Sequence, residues 1–288
     1  MVVGTHGPGP QNRPDRPRMR RRRPAAGAVA LAVLLSVPAL VTAGPAQAAP
    51  QAGRAQPAAA PANDVLAGLV DLLGRLVPLP PPAVNGAPQS VVSQVSASTV
   101  KVSGLACGRR LSGSGFSPAP DTIVTNAHVV AGTTNVQVLR PDGRSLSASV
   151  RVFDPDRDLA VLSVPGLGQP SLGLASAVTG ETGAVFGHPG GQVPLEVSSA
   201  RVVRRVTADL GDIYDGPAGP RQILVLSSDL EPGDSGAPLV NSSGRVIGVA
   251  FATATLRRST AFAVASEELA PVLAQPRRSA VGTGPCIV

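Results

Sequence analysis

The most informative stretch of the sequence is residues 233–238, which read Gly-Asp-Ser-Gly-Ala-Pro. A nucleophilic serine needs a tight, glycine-rich turn that exposes its Oγ and aims backbone N–H groups at the developing oxyanion. Ser235 is the candidate nucleophile, with the N–H groups of Gly233 and Ser235 as oxyanion donors. Ala237 stands where the nucleophile elbow of α/β-hydrolases has its second glycine, so the stretch does not indicate that fold. By itself the stretch also fits an ordinary β-turn.

The chain upstream contains the two partners that such a serine requires. His128 directly follows a strand-like run at residues 122–125, and Asp158 opens the apolar run 158–162. In a Ser-His-Asp triad the histidine takes the serine proton, and the aspartate holds the imidazole in the correct tautomer. The order His, Asp, Ser is the chymotrypsin order, whereas subtilisin and the α/β-hydrolases use other orders. We therefore predict a triad of His128, Asp158 and Ser235.

Asp154 and Asp156 are rival candidates for the aspartate. Both lie in a proline-containing turn, where we expect solvated carboxylates. Asp158 is preferred because it stands at the edge of a strand, which directs its carboxylate into a cleft from a fixed base. The remaining histidine of this region, His188, is interpreted as a loop residue and not as a ligand.

From about Ser90 onward the sequence reads as an all-β domain. Short apolar runs alternate with turn clusters such as residues 141–143, Pro-Asp-Gly. Only residues 266–275 read as a helix, with Ser266 as its N-cap. About a dozen short strands over roughly 190 residues fit either a pair of barrels or a sandwich. Because aromatic residues make up only 2% of the chain, the core must consist of Val, Leu, Ala and Ile.

Residues 1–48 are predicted to be a signal peptide, with Met19 as an alternative start. An arginine run precedes an apolar stretch, and Ala46-Gln47-Ala48 suits a signal peptidase, which would leave Ala49 at the new N-terminus. A retained membrane anchor is the alternative. Residues 49–89 form a Pro/Ala-rich linker. Within it, residues 63–77 have the leucine spacing of a short amphipathic helix. We expect it to pack on the folded domain, with a partner-binding helix or a membrane-surface helix as the alternatives. Membrane contact is less favoured because the helix is poor in basic residues.

The basic charge of the chain belongs to this leader. The net charge is +7, but residues 1–48 contain seven Arg and one Asp, so the remainder is close to neutral. The domain has no basic patch interleaved with aromatic residues, which argues against nucleic acid as a partner. Cys107 and Cys286 are the only cysteines, and after export a disulfide is favoured over a redox or metal site. Two free buried thiols are the alternative. We expect no metal and no cofactor.

Five stretches of the domain carry a resemblance to a known family: residues 107–116, 125–132, 187–191, 233–239 and 282–286. Through them, residues 90–288 resemble the trypsin-like (S1) serine proteases, near the HtrA proteases and nearest to the actinobacterial acid-resistance periplasmic proteases. The resemblance implies a chymotrypsin-like double β-barrel, with two perpendicular six-stranded barrels, the triad in the cleft between them and a short C-terminal helix. It also implies a disulfide between the two cysteines.

The sequence departs from the family at the substrate pocket and at the N-terminus. Ala237 and Ala261 stand where the family has glycine, and their methyl groups are expected to narrow substrate access. Asp229 lies six residues before Ser235, where trypsin-like enzymes place the acidic base of the primary pocket. It predicts a preference for Arg or Lys before the scissile bond. A structural hydrogen bond of Asp229 within its loop is the alternative. The acid-resistance relatives carry transmembrane helices where this chain has only a predicted signal peptide, so we expect a released enzyme.

These patterns predict a secreted serine endopeptidase that hydrolyses proteins or peptides through an acyl-enzyme on Ser235. An esterase with the same triad would share that intermediate. A non-catalytic binding module would keep the barrels without the chemistry. The complete triad and the oxyanion glycine argue against the binding module.

Overall fold

The computed structural model describes residues 88–253, 259–276 and 279–287. The predicted signal peptide, the linker as far as residue 87 and its helix at residues 63–77 lie outside the described residues. Within the described part, twelve strands form two closed barrels of six strands each. This confirms the predicted all-β double barrel. No helix in this part of the chain combines the length and the hydropathy needed to span a membrane.

The first barrel has the strand order β1-β2-β3-β6-β5-β4. Its strands are β1 (Thr99–Ala106), β2 (Arg109–Ala119), β3 (Thr122–Thr125), β4 (Val136–Leu139), β5 (Ser145–Asp154) and β6 (Leu159–Ser163). The barrel closes where β1 pairs with β4, with Val102 opposite Val138. In β4, Val136 and Val138 are buried and Gln137 is half-buried, which is the period of two expected of a barrel strand.

The second barrel has the order β10-β11-β12-β9-β8-β7. Its strands are β7 (Thr182–Gly187), β8 (Glu196–Ala208), β9 (Arg221–Ser227), β10 (Pro238–Asn241), β11 (Val246–Thr253) and β12 (Thr260–Ala265). It closes where β10 pairs with β7, with Leu239 opposite Val185. A register shift between Val202 and Arg204 lets β8 bend around the barrel.

Aliphatic side chains fill both barrels, as the composition predicts. The largest fully buried ones include Ile123 and Leu162 in the first barrel and Leu224, Leu239 and Ile247 in the second. The few phenylalanines contribute where volume is needed, because Phe116 and Phe186 are completely buried.

A helix, α1 (Gln89–Ser98), precedes β1, where the sequence predicts only strands. The β-branched valines of this segment suggest a strand, but their spacing also places Val91 and Val95 on one helical face. That face packs over Gly244 in the second barrel, and Val95 is fully buried. Tertiary packing therefore overrides the local propensity. The expectation that residues 266–275 form the only helix of the domain is therefore wrong.

The C-terminal helix is present but shorter than predicted. A 3₁₀ turn (Ser266–Glu268) leads into α3 (Leu269–Leu273). Ser266 does not cap it, because its Oγ donates a hydrogen bond to the Ala175 carbonyl, 2.6 Å away. The side chain that the sequence assigns to a local cap instead makes a tertiary contact.

Cys107 and Cys286 form a disulfide between positions that are 179 apart in sequence. The bond anchors a C-terminal strap, residues 281–287, on the first barrel. Gly132 N donates to the Thr283 carbonyl (3.0 Å), and Thr283 Oγ1 donates to the Thr133 carbonyl (3.0 Å). Gly132 and Thr133 follow the short helix that carries His128, so the strap supports one side of that helix.

A Cys107→Ser, Cys286→Ser double variant is expected to lose both stability and turnover. In the chain-entropy model a loop of this length contributes at most about 5 kcal/mol. Turnover falls because the strap no longer holds the chain beyond His128. Thermal melting and peptide hydrolysis measure the two effects, and non-reducing digestion with mass spectrometry verifies the bond in the parent protein. An unchanged Tm together with unchanged turnover contradicts this role.

Candidate active site

His128 lies on a single helical turn, α2 (Ala127–Val130), directly after β3. Asp158 lies immediately before β6, the strand that pairs with β3, so the barrel brings the two residues together. Asp158 Oδ1 accepts a hydrogen bond from His128 N (2.9 Å), and its Oδ2 lies 2.7 Å from His128 Nδ1. The Asp158 side chain is 6% exposed and the imidazole is 30% exposed. The carboxylate thereby holds a proton on Nδ1 and leaves Nε2 free to act as a base.

The two rival aspartates have other partners. Asp154 pairs with Arg157 at 3.2 Å, and Asp156 is exposed. Neither makes a hydrogen bond to His128 within the described residues. The structure therefore brings Asp158, and not its neighbours, to the imidazole.

The carboxylate also determines the basicity of the imidazole. Burial lowers the pKa of His128, but the charge of Asp158 and its hydrogen bond more than offset that effect. The pKa of His128 is therefore raised above the ordinary value for histidine. The imidazole is neutral and able to accept a proton at pH values above its pKa, and it is protonated and inactive as a base at pH values below its pKa.

Ser235 lies in the tight turn between β9 and β10. Gly233 has φ +108°, and a Cβ at this position would lie 2.4 Å from the His188 carbonyl oxygen. Only glycine fits there. Gly113 in β2 is packed between the two halves of the site, because a Cβ on it would lie within 3 Å of both Val129 and the Ser235 carbonyl oxygen. Ser235 Oγ donates to the Phe251 carbonyl (3.4 Å).

The peptide bond between Pro232 and Gly233, which carries the Gly233 N–H, is fixed by a hydrogen bond to its carbonyl oxygen. Gly190 N donates to the Pro232 carbonyl (2.6 Å). In a trans peptide the carbonyl and the following N–H point in opposite directions, so the Gly233 N–H is directed away from Gly190. Ser114 Oγ donates to the Gly233 carbonyl (2.8 Å) and accepts from His188 N (3.0 Å).

Sequence reasoning missed these supports. Lys101 Nζ donates to the Gly191 carbonyl (2.5 Å), so two side chains of the first barrel hold this region of the second: Lys101 holds the supporting loop at residues 189–191, and Ser114 holds the turn at Gly233. His188 lies in the supporting loop, as its interpretation as a loop residue requires. The glycine-rich stretch at residues 187–191 was the available signal, but the partners lie 74 and 90 residues away in sequence.

A small cavity of about 220 Å³ opens beside Ser235. Its lining consists of Leu230, Glu231, Pro232, Asp234, Ser235, Ala250 and Phe251. The predicted pocket residues are not among the described residues that line it. Asp229 is exposed, and its Oδ1 accepts a hydrogen bond from Ser259 Oγ (2.6 Å). Ala237 and Ala261 are completely buried.

Asp234, next to the nucleophile, is a buried carboxyl group. It is 5% exposed, and its Oδ2 accepts a hydrogen bond from Glu231 N (2.9 Å). Burial raises the pKa of Asp234 to about 6; the Glu231 N–H opposes the rise, and the charges of Glu231 and Glu196 add to it. The folded protein therefore binds this proton more tightly than the unfolded chain does.

The Asp234→Asn variant is expected to be more stable than the parent above pH 7 and equally stable near pH 4. The parent's proton-linked stability is present below the ordinary aspartate pKa and is lost as pH rises through about 6. The gap in the free energy of unfolding at high pH is about 2–3 kcal/mol. Thermal melts across pH 4–8 measure it. A gap that stays constant over this range contradicts the assignment.

Two closed six-stranded barrels, with a buried aspartate bonded to a histidine in the first and a serine in a glycine turn of the second, define the chymotrypsin class of folds. The comparisons agree. Residues 113–249 match the model of the trypsin-like peptidase domain. Serine protease Rv3671c of Mycobacterium tuberculosis is 39% identical over 214 residues, which cover 72% of this chain and 53% of that protein. The chain therefore spans about half the length of the curated relatives that it matches first.

Solved structures extend the match. The active form of the M. tuberculosis Rv3671c protease has a TM-score of 0.69 and 38% identity, over 73% of this chain and 94% of that one. A further curated relative is a probable periplasmic serine endoprotease, DegP-like, from Chlamydia pneumoniae. It is 33% identical over 142 residues, which cover 48% of this chain and 28% of that protein. The chain belongs to the trypsin-like serine protease family.

Proposed function

We propose that the chain is a serine endopeptidase whose catalytic triad is His128, Asp158 and Ser235. The observation that carries the proposal is the pair of hydrogen bonds that His128 donates to Asp158, from its backbone N (2.9 Å) and from its ring Nδ1 (2.7 Å). Family membership supports the reaction class. The substrates are proteins or peptides, as for the relatives whose names describe proteases.

In the first half of the reaction, Ser235 Oγ attacks the carbonyl carbon of the scissile bond. Its proton passes to His128 Nε2, and the N–H groups of Gly233 and Ser235 donate hydrogen bonds to the oxyanion. Rotation of the Ser235 side chain away from the Phe251 carbonyl brings Oγ to the imidazole; such catalytic hydrogen bonds often tighten only in the substrate complex. The C–N bond then breaks as His128 gives its proton to the leaving amine.

The second half removes the acyl group from Ser235. Water attacks the ester carbon, and His128 takes its proton. The tetrahedral intermediate collapses to a carboxylic acid, and the proton returns to Ser235 Oγ. No step requires a group beyond the residues named here and water.

Rapid mixing with a p-nitrophenyl ester tests this mechanism. We expect a burst of one p-nitrophenolate per chain before the steady state, because the acyl-enzyme forms faster than it hydrolyses. The same preparation should cleave a denatured protein substrate. A burst without protein cleavage would indicate an esterase, and the absence of both would indicate a binding module. An exposed serine supplies the matched control, since Ser243→Ala should keep the full burst.

We further propose that the domain acts outside the cytoplasm. The leader pattern of residues 1–48 and the relatives named as periplasmic support this location. Mass spectrometry of protein from culture supernatant should find an N-terminus at or near Ala49. Recovery from a membrane fraction with the leader still attached would show that the apolar segment is a retained anchor, and recovery only from the cytoplasm would contradict the proposed location.

The cavity beside Ser235 is proposed to accept a small or medium-sized apolar side chain. Four apolar residues, Leu230, Pro232, Ala250 and Phe251, contribute to its lining. Its volume of about 220 Å³ is below the range of ligand pockets and suits a single side chain. The hydrogen bond to Ser259 already occupies one oxygen of Asp229.

A peptide-library profile is therefore expected to show kcat/KM at least about tenfold higher for Ala, Val or Leu than for Arg or Lys before the scissile bond. The variant Asp229→Asn should leave the profile unchanged. A profile dominated by Arg and Lys, and lost in Asp229→Asn, would instead establish Asp229 as the acidic base of the pocket.

A further inference from the structure

Arg221 is a buried cation that lies outside the proposed triad and the oxyanion turn. It is the first residue of β9 and is 6% exposed. Its Nη1 donates to the carbonyl oxygens of Asp156 (2.6 Å) and Gly211 (2.8 Å). Its Nε is buried and has no hydrogen-bond partner in the part of the chain that the structure describes. A guanidinium is costly to bury unless opposite charges and hydrogen bonds compensate it.

The turn that Arg221 holds is the one that presents Asp158. Asp156, whose carbonyl it binds, lies two residues before Asp158. Asp158 itself has φ +55°, a left-handed conformation that is uncommon outside glycine, although aspartate adopts it more readily than most residues. The loop after β8 constrains the same turn, because Ile213 N donates to the Pro155 carbonyl (3.2 Å). Arg221 ties that loop to the turn through Gly211.

Four carboxylates interact electrostatically with the guanidinium. In decreasing order of electrostatic interaction they belong to Asp158, Asp209, Glu268 and Asp156. Glu268 already pairs with Arg157 (3.0 Å) and accepts a hydrogen bond from Gln222 N (2.8 Å). Asp156 and Asp209 are exposed to water. The buried Asp158 is therefore the principal electrostatic partner of Arg221.

We propose that Arg221 is a positioning residue for Asp158, and that its charge opposes proton uptake by the Asp158–His128 pair. With neutral imidazole the pair carries one negative charge, which a fixed cation stabilises. With protonated imidazole the pair is neutral and gains nothing from that cation. Arg221 therefore keeps His128 available as a base to lower pH. This inference rests on the proposed function.

The test is the rate of fluorophosphonate labelling of Ser235 between pH 5 and 9. It compares the parent with Arg221→Gln, which keeps an amide donor without the charge, and Arg221→Lys, which keeps the charge. The acid limb of the pH–rate profile is the range in which labelling slows as His128 becomes protonated. In Arg221→Gln this limb should move to higher pH by about 0.5–1 unit, and the labelling rate on the high-pH plateau should fall about tenfold. In Arg221→Lys the limb should stay within about 0.2 units of the parent.

A merely structural role would lower the plateau without moving the limb. An unmoved limb in Arg221→Gln, or equal shifts in both variants, would therefore overturn the proposal. Asp209→Asn, in an exposed loop, is the second variant and decides the matter if Arg221→Gln does not fold. Removing that carboxylate leaves the cation less compensated, so the limb should move to lower pH; no shift or an upward shift would overturn the proposal. A folded parent that is not labelled at all would overturn the proposed function, and this inference with it.

Discussion

Replacing Ser235 by alanine is expected to lower kcat for peptide hydrolysis by about 10⁶-fold while leaving the fold intact. The hydroxyl is the attacking atom in the proposed reaction, so no other group in the site replaces it. Its one hydrogen bond among the described residues, to the Phe251 carbonyl at 3.4 Å, contributes little to stability. The measurement is steady-state hydrolysis of a peptide substrate, with thermal melting of the same samples.

The matched control for this change is Ser243→Ala, in the exposed turn between β10 and β11. It should keep parental kcat and Tm. Residual hydrolysis within about 100-fold of the parent in Ser235→Ala would mean that another residue carries the reaction.

The second large effect is expected in Asp158→Asn, where kcat should fall by about 10⁴-fold. An asparagine amide that donates to Nδ1 would place the imidazole proton on Nε2, where a base is required. In His128→Ala kcat should fall further, by about 10⁶-fold, because this change removes the base itself. The pH profile gives an independent reading. Since Asp158 raises the pKa of His128, the acid limb of the residual Asp158→Asn activity should move to lower pH.

Asp154→Asn is the control for the carboxylate. Asp154 pairs with Arg157 and makes no hydrogen bond to His128 within the described residues. The kcat of Asp154→Asn should therefore stay within about threefold of the parent value. Near-normal activity in Asp158→Asn, combined with a large loss in Asp156→Asn, would show that the proposed aspartate is the wrong one.

The all-β fold and the contact between His128 and Asp158 were predictable because both depend on patterns within short stretches of the sequence. The histidine follows one strand and the aspartate precedes the strand that pairs with it, so strand pairing alone brings them together. The turn of Ser235 was predictable for the same reason, since its glycine requirement is local.

The supports of the site were not predictable, because they join residues far apart in sequence. Ser114 reaches Gly233 across 119 residues, and Arg221 reaches Asp156 across 65. The same cause explains the incorrect local interpretations. Ser266 bonds to Ala175 instead of capping a helix, and α1 forms where the valine-rich segment 89–98 packs on the second barrel.

The most direct test of the central claim is to map the fluorophosphonate adduct on the native protein by peptide mass spectrometry. We expect one adduct per chain, on Ser235, formed by the folded parent and lost on denaturation or in His128→Ala. No adduct on the folded parent, or an adduct on a different residue, would contradict it.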